Sequence, residues 1–260
     1  MRRAIATVTL AVAAMIIVAP PGLAPAQQQS RPTLSDMTEI EREALRTEIR
    51  AYLLEYPEIL MEAINLLEAR RKADTQQADA ALIAASSEQL YNDPNSWVSG
   101  NPDGDVTVVE FADYRCGFCK KAHPVLKELL QLDPNLRLVL KEFPILGPDS
   151  TAAARMATAA QDLDPANFEA LNDALMRFEG QLTESISYQI ASREGYDIAA
   201  LKKRAASAEI EARIGDNYAL ARTLGLQGTP SFILGNQIIR GFLPLDRMQA
   251  AVAEARAATN

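Results

Sequence analysis

Two cysteines three positions apart, Cys116 and Cys119, are the only thiols in the 260-residue chain. They follow an apolar, β-branched run, and the residues after them have the spacing of a helix that continues to about Gln131. The free N–H groups and the dipole at a helix N-terminus stabilise a thiolate. Two thiols at this spacing can also close into a disulfide and reopen without unfolding the chain. The pair therefore predicts exchange of disulfides with other proteins.

The first 26 residues have the pattern of a cleavable export signal. Two arginines follow Met1, residues 4–18 are apolar, and Ala24-Pro25-Ala26 is a small-residue cleavage site. The apolar stretch is shorter than the roughly 20 residues that a membrane-spanning helix needs. We therefore expect cleavage near Ala26 and a periplasmic location.

An exported location changes what the cysteine pair indicates. A structural disulfide framework uses several cysteines spread along the chain, and a chain of this length can bury an adequate core without disulfides. A closed zinc site needs four ligands, and with His123 as the single histidine the chain would have to add carboxylates. We therefore expect a redox-active pair, no metal site and no cofactor. Two soft thiolates leave binding of Cu(I) open as an alternative function of another class.

The charge of the chain bears on its partners. The net charge is −8 at pH 7, and removal of a leader that carries two arginines makes it more negative. This balance argues against nucleic acid and against an anionic membrane surface as partners. The expected partners are unfolded or misfolded exported proteins with cysteines, together with a membrane redox partner that resets the pair.

Residues 36–91 have the pattern of a helical arm. Thr38-Glu39-Ile40-Glu41 is a capping box, and apolar residues follow at near-helical spacing: Ile40, Leu45, Ile49, Leu53, Tyr56, Leu60, Ile64 and Leu67. Arg70 to Leu90 is rich in charged residues, alanine and glutamine, which predicts a long solvent-exposed linker helix. About 55 residues have too little mass for a core of their own. We therefore expect an oligomerisation stalk, and the alternative is an arm folded back on the catalytic domain.

A second domain is expected at residues 95–260, after a turn-rich joint over Asn92–Asp105. Its predicted elements are, in order, a strand at Val106–Phe111, the helix after the cysteines, a strand at Leu136–Phe143, a helical block at about 148–226, a hairpin at Ser231–Leu234 and Gln237–Arg240, and a last helix from Asp246 to Ala258. The predicted helix starts within the block are Ser150, Asp164-Pro165, Thr183 and Asp197. This βαβ, helical block, ββα order predicts an α/β fold with a small mixed sheet and helices on both faces.

Two further features lie where dithiol chemistry needs them. Glu110, six residues before Cys116, falls inside an apolar strand. A carboxylate buried beneath the second cysteine would take its proton and release it again; the alternative is a strand residue that faces solvent. Thr229-Pro230 precedes a strand, and a cis bond there would expose the Thr229 backbone for pairing with an extended substrate. His123 is expected to be a packing or surface residue.

Taken together, these motifs resemble the thioredoxin superfamily. The residues that carry the resemblance are Glu110-Phe111, Cys116-Gly117-Phe118-Cys119, Pro124 and Thr229-Pro230, and the DsbA-like branch is indicated by Gly100-Asn101-Pro102 and Lys141-Glu142-Phe143-Pro144. The resemblance covers about residues 95–258 and implies a thioredoxin fold interrupted by a large helical insertion. It implies Cys116 as nucleophile and Cys119 as resolving thiol. It also implies Glu110 as the buried carboxylate and Pro230 as the cis-proline. We expect substrate contacts at Thr229 and Phe118.

The arm is similar to a second, narrower group. The stretch Tyr52–Ile64 resembles the N-terminal region of ScsC-type proteins, which are linked to copper tolerance and include trimers that act as disulfide isomerases. This implies a homo-oligomer, with a trimer as one option, assembled through residues 36–91. Gly117-Phe118 stands where strongly oxidising DsbA proteins have Pro-His, which favours isomerase or reductase activity. The alternative within the same chemistry is a monomeric DsbA-like oxidase.

Overall fold

The computed structural model of the chain describes residues 37–259, and the leader expected at residues 1–26 lies outside this range. The chain divides into two compact units, one that extends to Ala63 and one that begins at Ile64. Helix α2 contains the point of division, since it runs over Glu58–Ala85. No helix within residues 37–259 is both long enough and apolar enough to cross a membrane.

The first unit consists of α1 (Glu39–Glu55) and the start of α2. The predicted capping box is confirmed: the Glu41 N–H donates to the Thr38 hydroxyl, and the Thr38 N–H donates to the Glu41 carboxylate at 2.7 Å. No residue of α1 is buried in the described chain. Its large apolar side chains, and those at the start of α2, are exposed: Ile40, Leu45, Ile49, Tyr52, Leu54, Tyr56, Leu60 and Met61. This unit therefore carries apolar surface that nothing in the described chain covers.

The second unit contains a five-stranded mixed sheet and the remaining helices. Its elements after α2 are α3 (Ser87–Tyr91), β1 (Trp97–Gly100), β2 (Val106–Ala112), α4 (Gly117–Leu132), β3 (Leu136–Glu142), α5 (Pro148–Leu163), α6 (Phe168–Arg177), α7 (Glu184–Arg193), α8 (Ile198–Ala205), α9 (Ala208–Thr223), β4 (Ser231–Leu234), β5 (Gln237–Arg240) and α10 (Leu245–Thr259). The strand order is β1-β3-β2-β4-β5. Strands β2 and β3 are parallel and the other pairs are antiparallel. The predicted fold class and element order are thus confirmed.

Three local predictions were wrong. The joint expected over Asn92–Asp105 contains an edge strand, β1, which pairs antiparallel with β3; four residues are too few for alternation to reveal a strand. Ser150 is not a helix cap, because Pro148 starts α5 two positions earlier. The next helix begins at Phe168, after a turn, rather than at Asp164-Pro165. The predicted caps Thr183 and Asp197 are confirmed.

The segment from Arg70 to Leu90 was expected to be one long solvent-exposed helix, and this prediction was wrong. Helix α2 ends at Ala85, and Ile83 and Leu90 are buried in the apolar core of the second unit. Asp79 accepts two hydrogen bonds from the Arg240 guanidinium on β5, at 2.9 and 3.0 Å. Ile83 and Leu90 are seven positions apart and therefore lie on the same side of a helical segment. The surrounding alanine, glutamine and charged residues made this apolar pair difficult to recognise in the sequence. The second unit therefore begins well before residue 95.

Strand β2 at the centre of the sheet carries side chains to both faces. Val109 and Phe111 pack in a cluster with apolar residues of α9, whereas Val108 packs with α4 and α10. Because side chains alternate along a strand, Glu110 lies on the same face as Val108 and α4. This alternation brings a carboxyl on β2 under the helix that begins at the cysteines.

Candidate active site

The two cysteines lie at the N-terminus of α4. Cys116 is the N-cap residue and is 8% exposed, while Cys119 is fully buried in the first turn. Neither is in a disulfide, and the Cys116 Sγ atom lies 3.1 Å from the Thr229 carbonyl oxygen. The loop before them is ordered by the buried Asp113 carboxylate, which accepts from the Arg115 N–H at 2.8 Å. The Cys116 sulfur is thus held between a helix start and the loop that precedes β4.

The environment drives the pKa values of the two thiols apart. The pKa of Cys116 is lowered to about 5, first by a hydrogen bond from Cys119, then by the side chain of Thr229 and by the backbone N–H groups of Cys119 and Phe118; burial opposes the shift without reversing it. The pKa of Cys119 is raised by its hydrogen bond to Cys116, by burial and by the charge of Glu110. Near neutral pH the pair therefore holds one proton, on Cys119. This arrangement combines a thiolate at the more exposed position with a protonated thiol behind it.

Glu110 is 4% exposed, which excludes the alternative that its side chain faces solvent. Burial, followed by the charge of Cys116, raises its pKa to about 8. Within the described residues no protein donor reaches its Oε1 atom. A carboxyl in this state can take and release a proton near neutral pH.

The loop before β4 presents the backbone next to Cys116. The Thr229–Pro230 peptide bond is cis, as the resemblance implied. The Pro230 carbonyl accepts from the Gly241 N–H at 2.9 Å, and Ser231 then begins β4 opposite Phe111 of β2. Because β2 also leads to the cysteines, the pairing of β2 with β4 brings Thr229 to the start of α4.

Comparison with known proteins agrees with this geometry. A family model described as a DSBA-like thioredoxin domain matches residues 107–253, which is more than half of the chain. The chain belongs to this family. A second model, described as the copper resistance protein ScsC N-terminal domain, matches residues 41–74 within the predicted arm.

Solved structures resemble this DSBA-like chain over most of its length. A thioredoxin-like oxidoreductase from Silicibacter pomeroyi DSS-3 is 43% identical with a TM-score of 0.63, over 65% of this chain and 97% of that one. Proteus mirabilis ScsC in a transitional conformation is 29% identical with a TM-score of 0.63, over 87% of this chain and 100% of that one. Among curated proteins, the Na(+)/H(+) antiporter NhaA 1 of Salinispora arenicola is 30% identical over 62% of this chain. The match spans 25% of the antiporter, so this chain corresponds to about a quarter of that relative.

The surface of the DSBA-like domain beside the thiols is apolar with basic neighbours. Phe118 is 57% exposed, and the Lys121 ammonium lies 5.1 Å from the centre of its ring. His123 does not join the thiols; its Nε2 atom lies 2.9 Å from Asp173 on α6, and it is largely buried, as a packing residue. Residues 37–259 contain no group of three or more His, Cys, Asp or Glu side chains placed to hold a metal ion.

Sequence reasoning missed a second buried carboxyl. Glu142 at the end of β3 is 8% exposed, and its Oε1 atom accepts a hydrogen bond from the Tyr114 hydroxyl at 2.7 Å. Burial raises the pKa of Glu142 to about 8. The signal was available, because Glu142 is an acidic residue inside an apolar strand, which is the argument that singled out Glu110.

Proposed function

We propose that this protein is an exported thiol–disulfide oxidoreductase that acts on misfolded client proteins, chiefly as a disulfide isomerase. The observation that carries the proposal is the pair of unequal thiols at the start of α4. Cys116, with its pKa lowered to about 5, is the nucleophile, and the buried Cys119 is the resolving thiol. A thiolate attacks disulfides and a thiol does not.

The reaction begins when the Cys116 thiolate attacks one sulfur of a client disulfide. A Cys116–client disulfide forms, and the second client sulfur leaves as a thiolate. In isomerisation another client thiolate attacks the mixed disulfide and frees Cys116, with no net change in oxidation. In reduction Cys119 attacks the sulfur of Cys116, and a membrane redox partner must then supply two electrons to reopen the internal disulfide.

Thr229 and Phe118 are the proposed client contacts. The Thr229 backbone lies beside Cys116, and it would pair with an extended client segment in the manner of an added strand. Phe118 offers an exposed apolar ring next to the reacting sulfur. Both contacts recognise unfolded chain rather than a particular sequence, which suits a catalyst with many clients.

The isomerase direction rests on two features. Gly117-Phe118 places no cationic side chain between the cysteines, where strongly oxidising DsbA proteins have Pro-His. The apolar arm supports a homo-oligomer through residues 36–91, with several thiol pairs facing one client. Linking sites in this way raises the effective concentration of the second site.

The experiment is refolding of a scrambled, fully oxidised client by the mature protein in a glutathione buffer. We expect recovery of the native client with the wild type and none above background with Cys116→Ser. Cys119→Ala should retain shuffling, since isomerisation needs Cys116 alone, whereas it should lose net reduction. Full shuffling by Cys116→Ser would refute the proposal.

Oligomerisation is tested separately by sedimentation of the mature protein. Replacement of two exposed arm residues, Ile49→Glu with Leu60→Glu, should convert an oligomer to a monomer and lower shuffling while leaving alkylation of Cys116 unchanged. Arg50→Glu, a charge change at a neighbouring exposed position of α1, is the control and should remain oligomeric. A wild type that sediments as a monomer would favour the monomeric oxidase instead.

A further inference from the structure

Three cationic residues flank the two cysteines in the sequence. Arg115 precedes Cys116, Lys120 and Lys121 follow Cys119, and residues 114–127 contain no aspartate or glutamate. The chain as a whole has a net charge of −8 at pH 7. The N-terminus of α4 adds the positive end of a helix dipole at the same place. The dithiol therefore lies in a locally cationic segment of an acidic protein.

Two of these cations are half-buried and have no carboxylate partner among residues 37–259. The Arg115 guanidinium donates to the Leu146 carbonyl oxygen at 2.9 Å, and the Lys120 ammonium donates to the Phe178 carbonyl oxygen at 2.5 Å. Burial lowers the pKa of Lys120, and no carboxylate opposes this shift. Because charges interact more strongly where water is partly excluded, a half-buried cation without a counter-ion gains more from an incoming anion than a fully hydrated one.

Lys121 places a third charge beside the ring that the proposed function assigns to client binding. Its side chain is exposed, and its ammonium lies 5.1 Å from the centre of the Phe118 ring. A cation–π contact does not neutralise the ammonium, because the ring has no net charge. The surface at Phe118 therefore combines apolar area with positive charge.

The acids of the same region leave these charges available. Glu110 and Glu142 are buried, and burial raises the pKa of each to about 8, so both are largely neutral near pH 7. Asp113 is 1% exposed, and its carboxylate already accepts from two backbone N–H groups. Glu179 is an exposed acid that follows Phe178 in the chain, and every variant below leaves it in place.

We propose that Arg115, Lys120 and Lys121 form a cationic rim that selects client segments with aspartate or glutamate beside the reacting cysteine. The inference rests on the proposed function, because it names the class of client that the same thiol pair prefers. Complementary charge speeds encounter and excludes partners of like charge. The attack itself is unchanged, since the Cys116 thiolate still displaces one client thiolate from the client disulfide.

The test is the rate at which the reduced mature protein cleaves symmetrical peptide disulfides. Each disulfide joins two copies of one labelled peptide whose fluorescence recovers on cleavage, so attack on either sulfur gives the same signal. One peptide has glutamates on both sides of its cysteine, and the other has glutamines. At about 0.1 M salt, where the Debye length is about 10 Å, we expect the acidic peptide to react about threefold to tenfold faster. At about 1 M salt this preference should be nearly lost.

A small neutral thiol gives the chemical baseline. Glutamates near a cysteine raise the pKa of its thiol, and a thiolate with a higher pKa leaves more slowly. Mercaptoethanol should therefore react no faster with the acidic peptide than with the glutamine peptide. A preference of the same size with mercaptoethanol would overturn the inference, because the peptides themselves would then cause it.

Lys121 supplies the variants, because its side chain is exposed. Lys121→Gln removes one charge from the rim and should lower the preference for the acidic peptide about twofold or more, whereas Lys121→Arg should retain it. Lys203→Gln, the same change at an exposed position of α8, is the matched control and should also retain it. The midpoint of Cys116 alkylation should stay unchanged, since Lys121 is not among the groups that shift the pKa of Cys116.

The outcomes separate the rim from the proposed function. Equal rates for the two peptides with the wild type would overturn the inference. An equal loss of preference in Lys121→Gln and Lys203→Gln would also overturn it, because the net charge of the protein would then be the cause. No cleavage of either peptide by the wild type would instead overturn the proposed function.

Discussion

The sulfur of Cys116 lies 3.1 Å from the carbonyl oxygen of Thr229, although 113 positions separate the two residues along the chain. One belongs to the start of α4 and the other to the loop before β4. A client segment that pairs with the Thr229 backbone would therefore place its own sulfur next to the nucleophile. Recognition and reaction thus occur within one hydrogen-bond length.

The rate at which the reduced protein is alkylated should depend on the fraction of Cys116 that is ionised and not on Cys119. We expect the rate with iodoacetamide to be half-maximal near pH 5, since hydrogen bonds lower the pKa of this thiol to about 5. Cys119 should remain unmodified because it is fully buried. Cys119→Ala removes the largest stabilising hydrogen bond and should move the midpoint upward. A wild-type midpoint near 9.0, the ordinary pKa of a cysteine thiol, would contradict the assigned geometry.

Replacement of Glu110 should affect stability and rate in opposite directions. The carboxyl ionises at 4.5 in a model compound and at about 8 in the fold, so the folded state retains a proton that the unfolded state loses. The free energy of unfolding therefore falls as pH rises through this window, and the loss is complete above it. In the reduced protein Glu110→Gln should add about 4 kcal/mol at pH 8 and little at pH 4, measured by urea unfolding.

The same variant should slow resolution by Cys119 by about a hundredfold, because it removes the proton acceptor. Glu142→Gln is the matched control, since Glu142 is also buried and its pKa is also raised to about 8. It should show the same gain in stability at high pH and keep the resolution rate. Equal slowing in both variants would show that the rate reports the general burial of charge and not the position of Glu110.

Truncation of Phe118 should weaken client binding without changing the thiols. The Phe118 ring is 57% exposed beside Cys116, so little of it is buried. We expect Phe118→Ala to raise KM for an unfolded client a few-fold and to leave the midpoint of Cys116 alkylation unchanged. Leu132→Ala, which is equally exposed at 57% at the other end of α4, should leave KM unchanged. A rise in KM for both variants would indicate a general loss of apolar surface.

The ion pair between Asp93 and Lys141 should stabilise the edge of the sheet. Lys141 on β3 is 1% exposed, and its ammonium donates to Asp93 at 2.7 Å and to the Gln89 carbonyl at 2.6 Å. Asp93→Ala leaves a buried cation half-paired and should cost about 2 to 4 kcal/mol of unfolding free energy. Asp103→Ala, at an exposed position, should cost little. A small effect of Asp93→Ala would mean that the backbone carbonyl alone satisfies Lys141.

The residues that carry chemistry were accessible from sequence because their signals are local. Cys116 and Cys119 are close along the chain, and Glu110 stands out as an acid in an apolar strand. The element order followed from periodicity and from helix caps such as Thr183, whose side-chain hydrogen bond lies within four residues. Local hydrogen bonds and side-chain alternation depend on short stretches of sequence. The predictions of the fold class and of the Thr183 cap were therefore confirmed.

Other features depended on contacts between distant segments. Strand β1 exists because β3 supplies its hydrogen bonds, and the end of α2 is buried because Ile83 meets a core built from residues far along the chain. The sequence by itself determined the dithiol, its family and the order of the predicted elements. The tertiary structure alone decided that Thr229 lies against Cys116, because burial and proximity arise only when the whole sheet and its insertion pack together.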